Sequence, residues 1–167
     1  SSDLTFRWAG KYEYDMNSAE TLDTQLGVFG DFNPVVPEEY MSARYVFLAN
    51  ILPSVQLSVL DQVDAGCFTM ADTMNFWIEN AREDLLKVMQ RVDLMLLNDG
   101  EIRQLTGTPN LAKAAQEILR MGPRYVVIKK GEYGATLVSE AGSFTLPCYP
   151  LQEVLDPTGA GDSFAGG

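Results

Sequence analysis

Asp156-Pro157-Thr158-Gly159-Ala160-Gly161-Asp162-Ser163-Phe164-Ala165-Gly166-Gly167 is the stretch around which the chain is organised. Four of these twelve residues are glycine and two are alanine, and an acid stands directly behind Gly159-Ala160-Gly161. Glycines at such a place let the backbone turn sharply and approach a ligand closely. The small residues that follow can open a helix whose free N–H groups point back at the turn. That geometry is an anion hole, with Ala160, Gly161 and Asp162 supplying the N–H groups. A carboxylate inside it would repel a bound phosphate, so Asp162 makes chemical sense only if it handles a proton where negative charge develops. A glycine-rich helix start carrying an incidental acid is the bland alternative.

Upstream of this stretch, apolar runs alternate with amphipathic segments. Residues 45–48, 67–71, 92–97 and 125–128 are short continuous apolar runs, as expected of strands buried on both faces. Between them the spacing predicts a helix over 53–63, with Pro53 at its first position, and another over 79–91 with Leu85, Leu86, Val88 and Met89 on its buried side. The helix over 111–121 is the clearest. Asn110 is a good N-cap, Leu111, Ala114, Ala115, Ile118 and Leu119 recur at helical spacing, and Gly122 follows the end. Residues 135–138 and 143–146, joined across Gly142, predict an antiparallel hairpin. Together these make an α/β architecture with a mainly parallel sheet covered on both faces. Leu4, Phe6, Trp8 and Tyr12 alternate as in a half-exposed strand over 4–12. Residues 15–39, broken by Gly27, Gly30, Pro34 and Pro37, predict mostly loop and short strand. Met70, Met74, Met89 and Met95 fit core filling better than a binding surface.

In parallel sheets ligands sit beyond the carboxyl ends of the strands. Asp72 and Asn75 follow the second apolar run, Asn98 and Glu101 the third, Lys129 to Gly134 the fourth, and the Gly159-Ala160-Gly161-Asp162 turn comes last. Polar groups at four successive strand ends could therefore converge on one crevice. Asn98 at a strand end and Glu101 in the next helical turn put an amide and a carboxylate on one side, which suits a hydrated hard cation. The alternative for that pair is a helix start whose acids are favoured by the macrodipole. Gly131 and Gly134 would let backbone N–H groups approach phosphates, and a lysine adds a compact positive charge. A simple turn into the hairpin is the alternative there.

Composition removes several function classes. With 167 residues, 46% hydrophobic and 21% charged, the chain is one domain of ordinary globular make-up. Twelve Lys plus Arg face 23 Asp plus Glu, a net charge of −11, so neither nucleic acid nor an anionic membrane is an expected partner. There is no histidine, and Cys67 and Cys148 stand far apart, which removes a zinc cluster and any His-based triad. No long apolar span or signal peptide is visible, and a reducing cytoplasm is the default expectation. No Walker A pattern occurs.

The stretch 156–167 resembles the second signature of the PfkB (ribokinase-like) family of carbohydrate and nucleoside kinases, Asp-Thr-x-Gly-Ala-Gly-Asp at the start of a helix. Pro157 stands where the family usually has Thr. Asn98-Asp99-Gly100-Glu101 is similar to the family's Asn-x-x-Glu motif, which organises magnesium and phosphate through water. Lys129-Lys130-Gly131-Glu132-Tyr133-Gly134 stands where the family has a nucleotide loop, with Lys129 in place of the Thr of some relatives. Asp72-Thr73-Met74-Asn75 resembles the Asp-x-Asn element after the corresponding strand, although an Asp there is equally a helix cap.

The resemblance implies a ribokinase-like three-layer α/β/α fold with a C-terminal β-hairpin and, within residues 1–30, part of a β lid over the substrate. It implies transfer of the γ-phosphoryl group of ATP to a hydroxyl of a sugar or nucleoside-like small molecule, and a homodimer through the lid. Asp162 would be the general base, with Gly159, Ala160 and Gly161 forming the anion hole. Asn98, Lys129, Gly131, Glu132, Gly134 and Gly161 would meet the nucleotide. Asn98 and Glu101 would hold Mg²⁺ through water, and Asp156 and Thr158 a monovalent cation such as K⁺. Family chains are longer, so the resemblance implies a central-to-C-terminal fragment of a single kinase domain, inactive by itself. The competing expectation is a nucleotide-binding or regulatory α/β module without turnover, against which the intact Asp162 speaks.

Overall fold

Large apolar and β-branched side chains fill both sides of a pleated strand, so the apolar runs pair side by side. The computed structural model describes residues 4–14 and 19–167. Its strands and helices, in chain order, are β1 (Arg7–Tyr12), β2 (Ala19–Gln25), α1 (Glu38–Met41), β3 (Tyr45–Leu48), α2 (Pro53–Leu60), β4 (Phe68–Ala71), α3 (Asn75–Asn80), α4 (Arg82–Met89), β5 (Leu94–Asn98), α5 (Asp99–Thr106), α6 (Leu111–Met121), β6 (Tyr125–Lys129), β7 (Ala135–Ser139), β8 (Gly142–Leu146) and α7 (Ala160–Gly166). One sheet runs β3-β4-β5-β6-β7-β8, parallel through β6 and antiparallel thereafter, and β1 with β2 makes a separate antiparallel ribbon. This is the mixed α/β architecture expected, with the hairpin in place.

From β3 to β6 the strands follow one another in a single direction, so right-handed crossovers carry their helices to one face of the sheet. There Leu48, Ala71, Met95, Leu97, Val126 and Ile128 meet Leu85, Val88, Met89, Ile102, Ala114 and Ile118 in one apolar cluster. The other face carries a row of rings, Tyr45, Phe68 and Tyr125, with centroids 6.3 and 6.1 Å apart. Of the four methionines expected in the core, Met89 and Met95 are fully buried, while Met70 and Met74 are half-buried.

Several boundaries differ from the sequence reading, each for a local reason. The strand expected over 4–12 begins only at Arg7, because the Leu4 carbonyl turns aside to accept from the Val28 N–H at 2.9 Å. Within 15–39, residues 15–18 lie outside the described residues, and the remainder holds the seven-residue strand β2, a 3₁₀ turn over Gly27–Asp31 and the short α1. The helix expected over 79–91 starts earlier and is two helices, broken at Ala81, whose φ −139 and ψ 33 serve as both the end of α3 and the start of α4. Helix α6 has the bounds expected of it.

The two ends of α6 are held in different ways. The Asn110 side chain accepts from the Lys113 N–H at 3.0 Å. Gly122 sits at φ +147, where a Cβ would strike the Met89 carbonyl oxygen and lie 2.6 Å from the Gln90 Cα. The cap is replaceable by water, but the glycine has no alternative. Asn110→Ala should therefore cost about 1 kcal/mol, and Gly122→Ala distinctly more, since it combines backbone strain with a backbone clash. Denaturant midpoints of the two variants check the order, and equal losses would contradict it.

Candidate active site

Three neighbouring parallel strands end together. Asp72 follows β4, Asn98 ends β5, and Lys129, in register with Asn98, ends β6. The edge is stitched by Gln56 of α2, which is 1% exposed. Its amide lies within bonding distance of the Leu48, Ala49 and Asp72 carbonyls at 3.3, 3.0 and 3.0 Å, tying the end of β3 to that of β4. Nothing in the spacing of the sequence marks Gln56 as special. A glutamine next to the apolar positions Val55, Val59 and Leu60 of its helix was the signal that could have found it.

The Lys129 ammonium donates to both oxygens of Asp72, each at 3.0 Å, with the side chains 14% and 3% exposed. Asp72 Oδ1 also accepts from the Thr73 N–H at 2.9 Å. Burial raises the Asp72 pKa above its ordinary 3.8, against the pull of the Lys129 charge and these bonds, and the negative charge of Asp162 adds to the rise. The reading of Asp72 as a helix cap fails, because α3 begins after Met74 and no side chain caps it.

Asn98 and Glu101 form a reciprocal capping box at the start of α5. The Glu101 N–H donates to Asn98 Oδ1 at 2.7 Å, while the Asn98 backbone N–H and amide donate to the two Glu101 oxygens at 2.7 and 2.8 Å. Glu101 is only 8% exposed. Its pKa is pushed up to about 7, first by burial and further by the charges of Asp72 and Asp162, with the Asn98 N–H and Lys129 opposing. The pair does put an amide and a carboxylate on one side, and it is also the N-terminal cap of its helix.

The glycine turn is where the sequence places it. Gly159 is left-handed at φ 77 and precedes α7. The Ala160 N–H is already given to the Pro157 carbonyl at 3.1 Å, so of the three N–H groups expected in the anion hole it is engaged. Those of Gly161 and Asp162 have no backbone acceptor among the described residues. A Cβ built on Gly161 would meet one atom, the Lys129 Nζ, at 3.8 Å. Asp162 itself is exposed, yet close enough to Asp72 and Glu101 to act on both. The turn, Lys129, Asp72 and the Asn98–Glu101 pair are thus brought together.

The other expected residues lie in turns of their own or on α3. Gly131, at φ 53, and Gly134, at φ 86, bound a single 3₁₀ turn in which the Gly134 N–H donates to the Gly131 carbonyl at 3.1 Å and the Lys130 N–H to the Gly134 carbonyl at 2.8 Å. A Cβ at Gly134 would strike the Leu146 carbonyl oxygen and lie 2.7 Å from the Cys148 N, so hairpin packing is itself a reason for that glycine. Glu132 lies within the turn. Asp156 and Thr158 form an exposed turn, with the Thr158 N–H donating to Asp156 Oδ1 at 2.9 Å, and the Thr158 side chain first and this N–H second lower the Asp156 pKa. Asn75 faces a hollow of about 530 Å³ between Glu20, Asp23 and Thr24 of β2 and Phe76 and Glu79 of α3.

Three carboxylates, Asp72, Glu101 and Asp162, thus lie close enough to feel one another's charge, with Lys129 bonded to the first. Among the described residues no three metal-ligating side chains form a direct cage. That donor set fits a magnesium ion that keeps several waters and takes further oxygens from phosphates. No helix is long and apolar enough to cross a membrane, among the described residues.

Known proteins are similar to this chain in sequence and fold. The chain is 34% identical to the cytidine kinase of Thermococcus kodakarensis over 159 residues, which is 92% of this chain and 57% of that protein. Its fold matches the adenosine kinase of Sinorhizobium meliloti with a TM-score of 0.82, covering 99% of this chain and 53% of the other at 20% identity. It also matches a putative ribokinase II of E. coli solved in complex with ATP and Mg²⁺, with a TM-score of 0.70 over 95% of this chain and 55% of that one at 21% identity. The chain therefore spans less than two thirds of the length of each. The model of the pfkB family carbohydrate kinases matches residues 31–167, from before the first strand of the main sheet through the glycine turn, and the chain belongs to that family.

Proposed function

We propose that the intact protein carrying this chain transfers the γ-phosphoryl group of ATP to a hydroxyl of a sugar or nucleoside-like alcohol. The observation that carries this reading is the approach of the Gly161 turn to Lys129, whose Nζ would lie 3.8 Å from a Cβ built on the glycine, beside an acid and the Asn98–Glu101 capping box at the carboxyl ends of three parallel strands. The relatives, a cytidine kinase and a putative ribokinase solved with ATP and Mg²⁺, point the same way. A nucleotide-binding module without turnover would have no use for an exposed carboxylate at the mouth of an anion hole.

In this reading the acceptor hydroxyl loses its proton to the Asp162 carboxylate as its oxygen bonds to the γ-phosphorus and the bond to the ADP oxygen breaks. The Gly161 and Asp162 N–H groups face the charge on the transferring group, with Lys129 beside them. Asn98 and Glu101 would hold Mg²⁺ through water, and the metal supplies neutralisation of the polyphosphate charge. The 131–134 turn would flank the nucleotide through Gly131 and Glu132. The ribbon of β1 and β2 overhangs the hollow beside α3 and would cover the acceptor.

Two variants of the turn test this in the intact protein. Asp162→Asn keeps the shape and removes the basicity, so turnover should fall by roughly two to four orders of magnitude while ATP affinity changes little. Gly161→Ala meets no protein atom closer than ordinary contact, so its melting temperature should stay put while turnover drops, because the methyl fills the space beside Lys129. A folded Asp162→Asn protein with near-wild-type turnover removes the base from the mechanism.

Glu101 gives a test with two readouts. Glu101→Gln should weaken the dependence of turnover on magnesium, and an unchanged magnesium titration would sink that role. The second readout needs no metal. The folded state holds the Glu101 proton up to about pH 7 and the unfolded state only to its ordinary 4.5, so this group makes stability fall as pH rises between those values. The variant should flatten that slope, and an unaltered stability profile would show that burial does not shift Glu101.

Asp156 and Thr158 carry a further part of the proposal, a monovalent cation beside the signature. Replacing potassium by sodium or by a bulky organic cation should then lower turnover. Equal rates in all three would remove it.

A further inference from the structure

We propose that Asp72 is a positioning residue for the phosphoryl-transfer step, acting through Lys129. The inference rests on the kinase reading above and assigns a role to a side chain that touches neither nucleotide nor acceptor in it. Asp72 is 2% exposed, behind the strand ends, and both its oxygens receive the Lys129 ammonium at 3.0 Å.

An isolated buried carboxylate is strongly disfavoured, and a lysine alone swings through many rotamers on its four-carbon stem. The pair removes both difficulties. Asp72 cannot move, because its Oδ1 accepts from the Thr73 N–H at 2.9 Å and its carbonyl is held by the Gln56 amide at 3.0 Å. An ammonium has three donors, of which the two carboxylate oxygens can take two. The third is left for an acceptor on another side, and a Cβ built on Gly161 would lie 3.8 Å from the Nζ, which puts the glycine turn on that side. Asp72 therefore aims the ammonium toward the place where the transferring phosphoryl group would sit, as a second-layer carboxylate aims a ligating histidine. It also explains why a third acid is tolerated beside an anion hole already flanked by Glu101 and Asp162: Asp72 is the one spent on the lysine.

The test compares kcat, KM for ATP and melting temperature in wild type, Asp72→Asn, Lys129→Met and the double variant of the intact protein. Each single variant should lower kcat by about 100-fold, the size of effect found when one donor to a developing charge is lost, with a smaller change in KM. The double variant should be no worse than Lys129→Met, because without the ammonium there is nothing left to aim. Asp72→Glu keeps the charge on a longer stem and serves if the amide variant does not fold. It too should lower kcat at a near-wild-type melting temperature. Wild-type kcat in a folded Asp72 variant, or losses that multiply in the double variant, would overturn the inference while leaving the kinase reading intact. A wild-type protein that transfers nothing from ATP would overturn the kinase reading and this inference with it.

Discussion

Parallel pairing runs the carboxyl end of every strand to the same edge of a sheet, and that edge is where the backbone leaves an apolar interior for water. In this chain β4, β5 and β6 reach it side by side. Polar groups arriving there half-buried must find partners or stay out. Asn98 and Glu101 satisfy one another, Gln56 collects three carbonyls, and Asp72 takes Lys129. Gln56 Oε1 and Thr73 Oγ1 remain buried without a protein partner among the described residues, at the same edge. The apolar cluster on the helix face holds the strands in place, and the edge inherits its precision from them.

The charge balance of the site is unlike that of a phosphate-binding surface built from a basic patch. The chain carries −11 overall, and the crevice sets three acids against one lysine. Long-range attraction cannot bring a polyphosphate to such a place. What remains is short-range and directional: two N–H groups at a glycine turn and one ammonium held by a carboxylate. A net-charge argument speaks against nucleic acid as a partner, and it says nothing against a nucleotide that brings its own counterion.

The parts of this structure that were legible beforehand are those where local chemistry and tertiary packing agree. Helix α6 is bounded by Asn110 and Gly122 as its pattern requires, and the apolar strands fall within a residue or two of their runs. Where the two diverge, the sequence is silent. Ala81 breaks a helix without being Gly or Pro, and β2 is a strand of mixed polar residues that pairs only with β1. In the site, the glycine turn and the Asn98–Glu101 pair were visible because each is a short motif whose residues are neighbours in the chain. The Asp72–Lys129 pair was not, because each residue could be placed at a strand end but only the sheet shows that the two meet. Gly134 has a further reason to be glycine that only the fold reveals, its close approach to the Leu146 backbone.

That pair has a consequence for how the molecule comes to be folded. Asp72 and Lys129 lie 57 residues apart in the chain, on strands that are not neighbours, with β5 between them. Neither hairpin closure nor helix formation can bring them together, and only three strands already in register can. The crossovers around β5 must therefore be complete before the ammonium reaches its carboxylate. The charged centre of the crevice can form only once β4, β5 and β6 are in register, and a chain in which β6 has not yet joined β5 would still have Asp72 without its lysine.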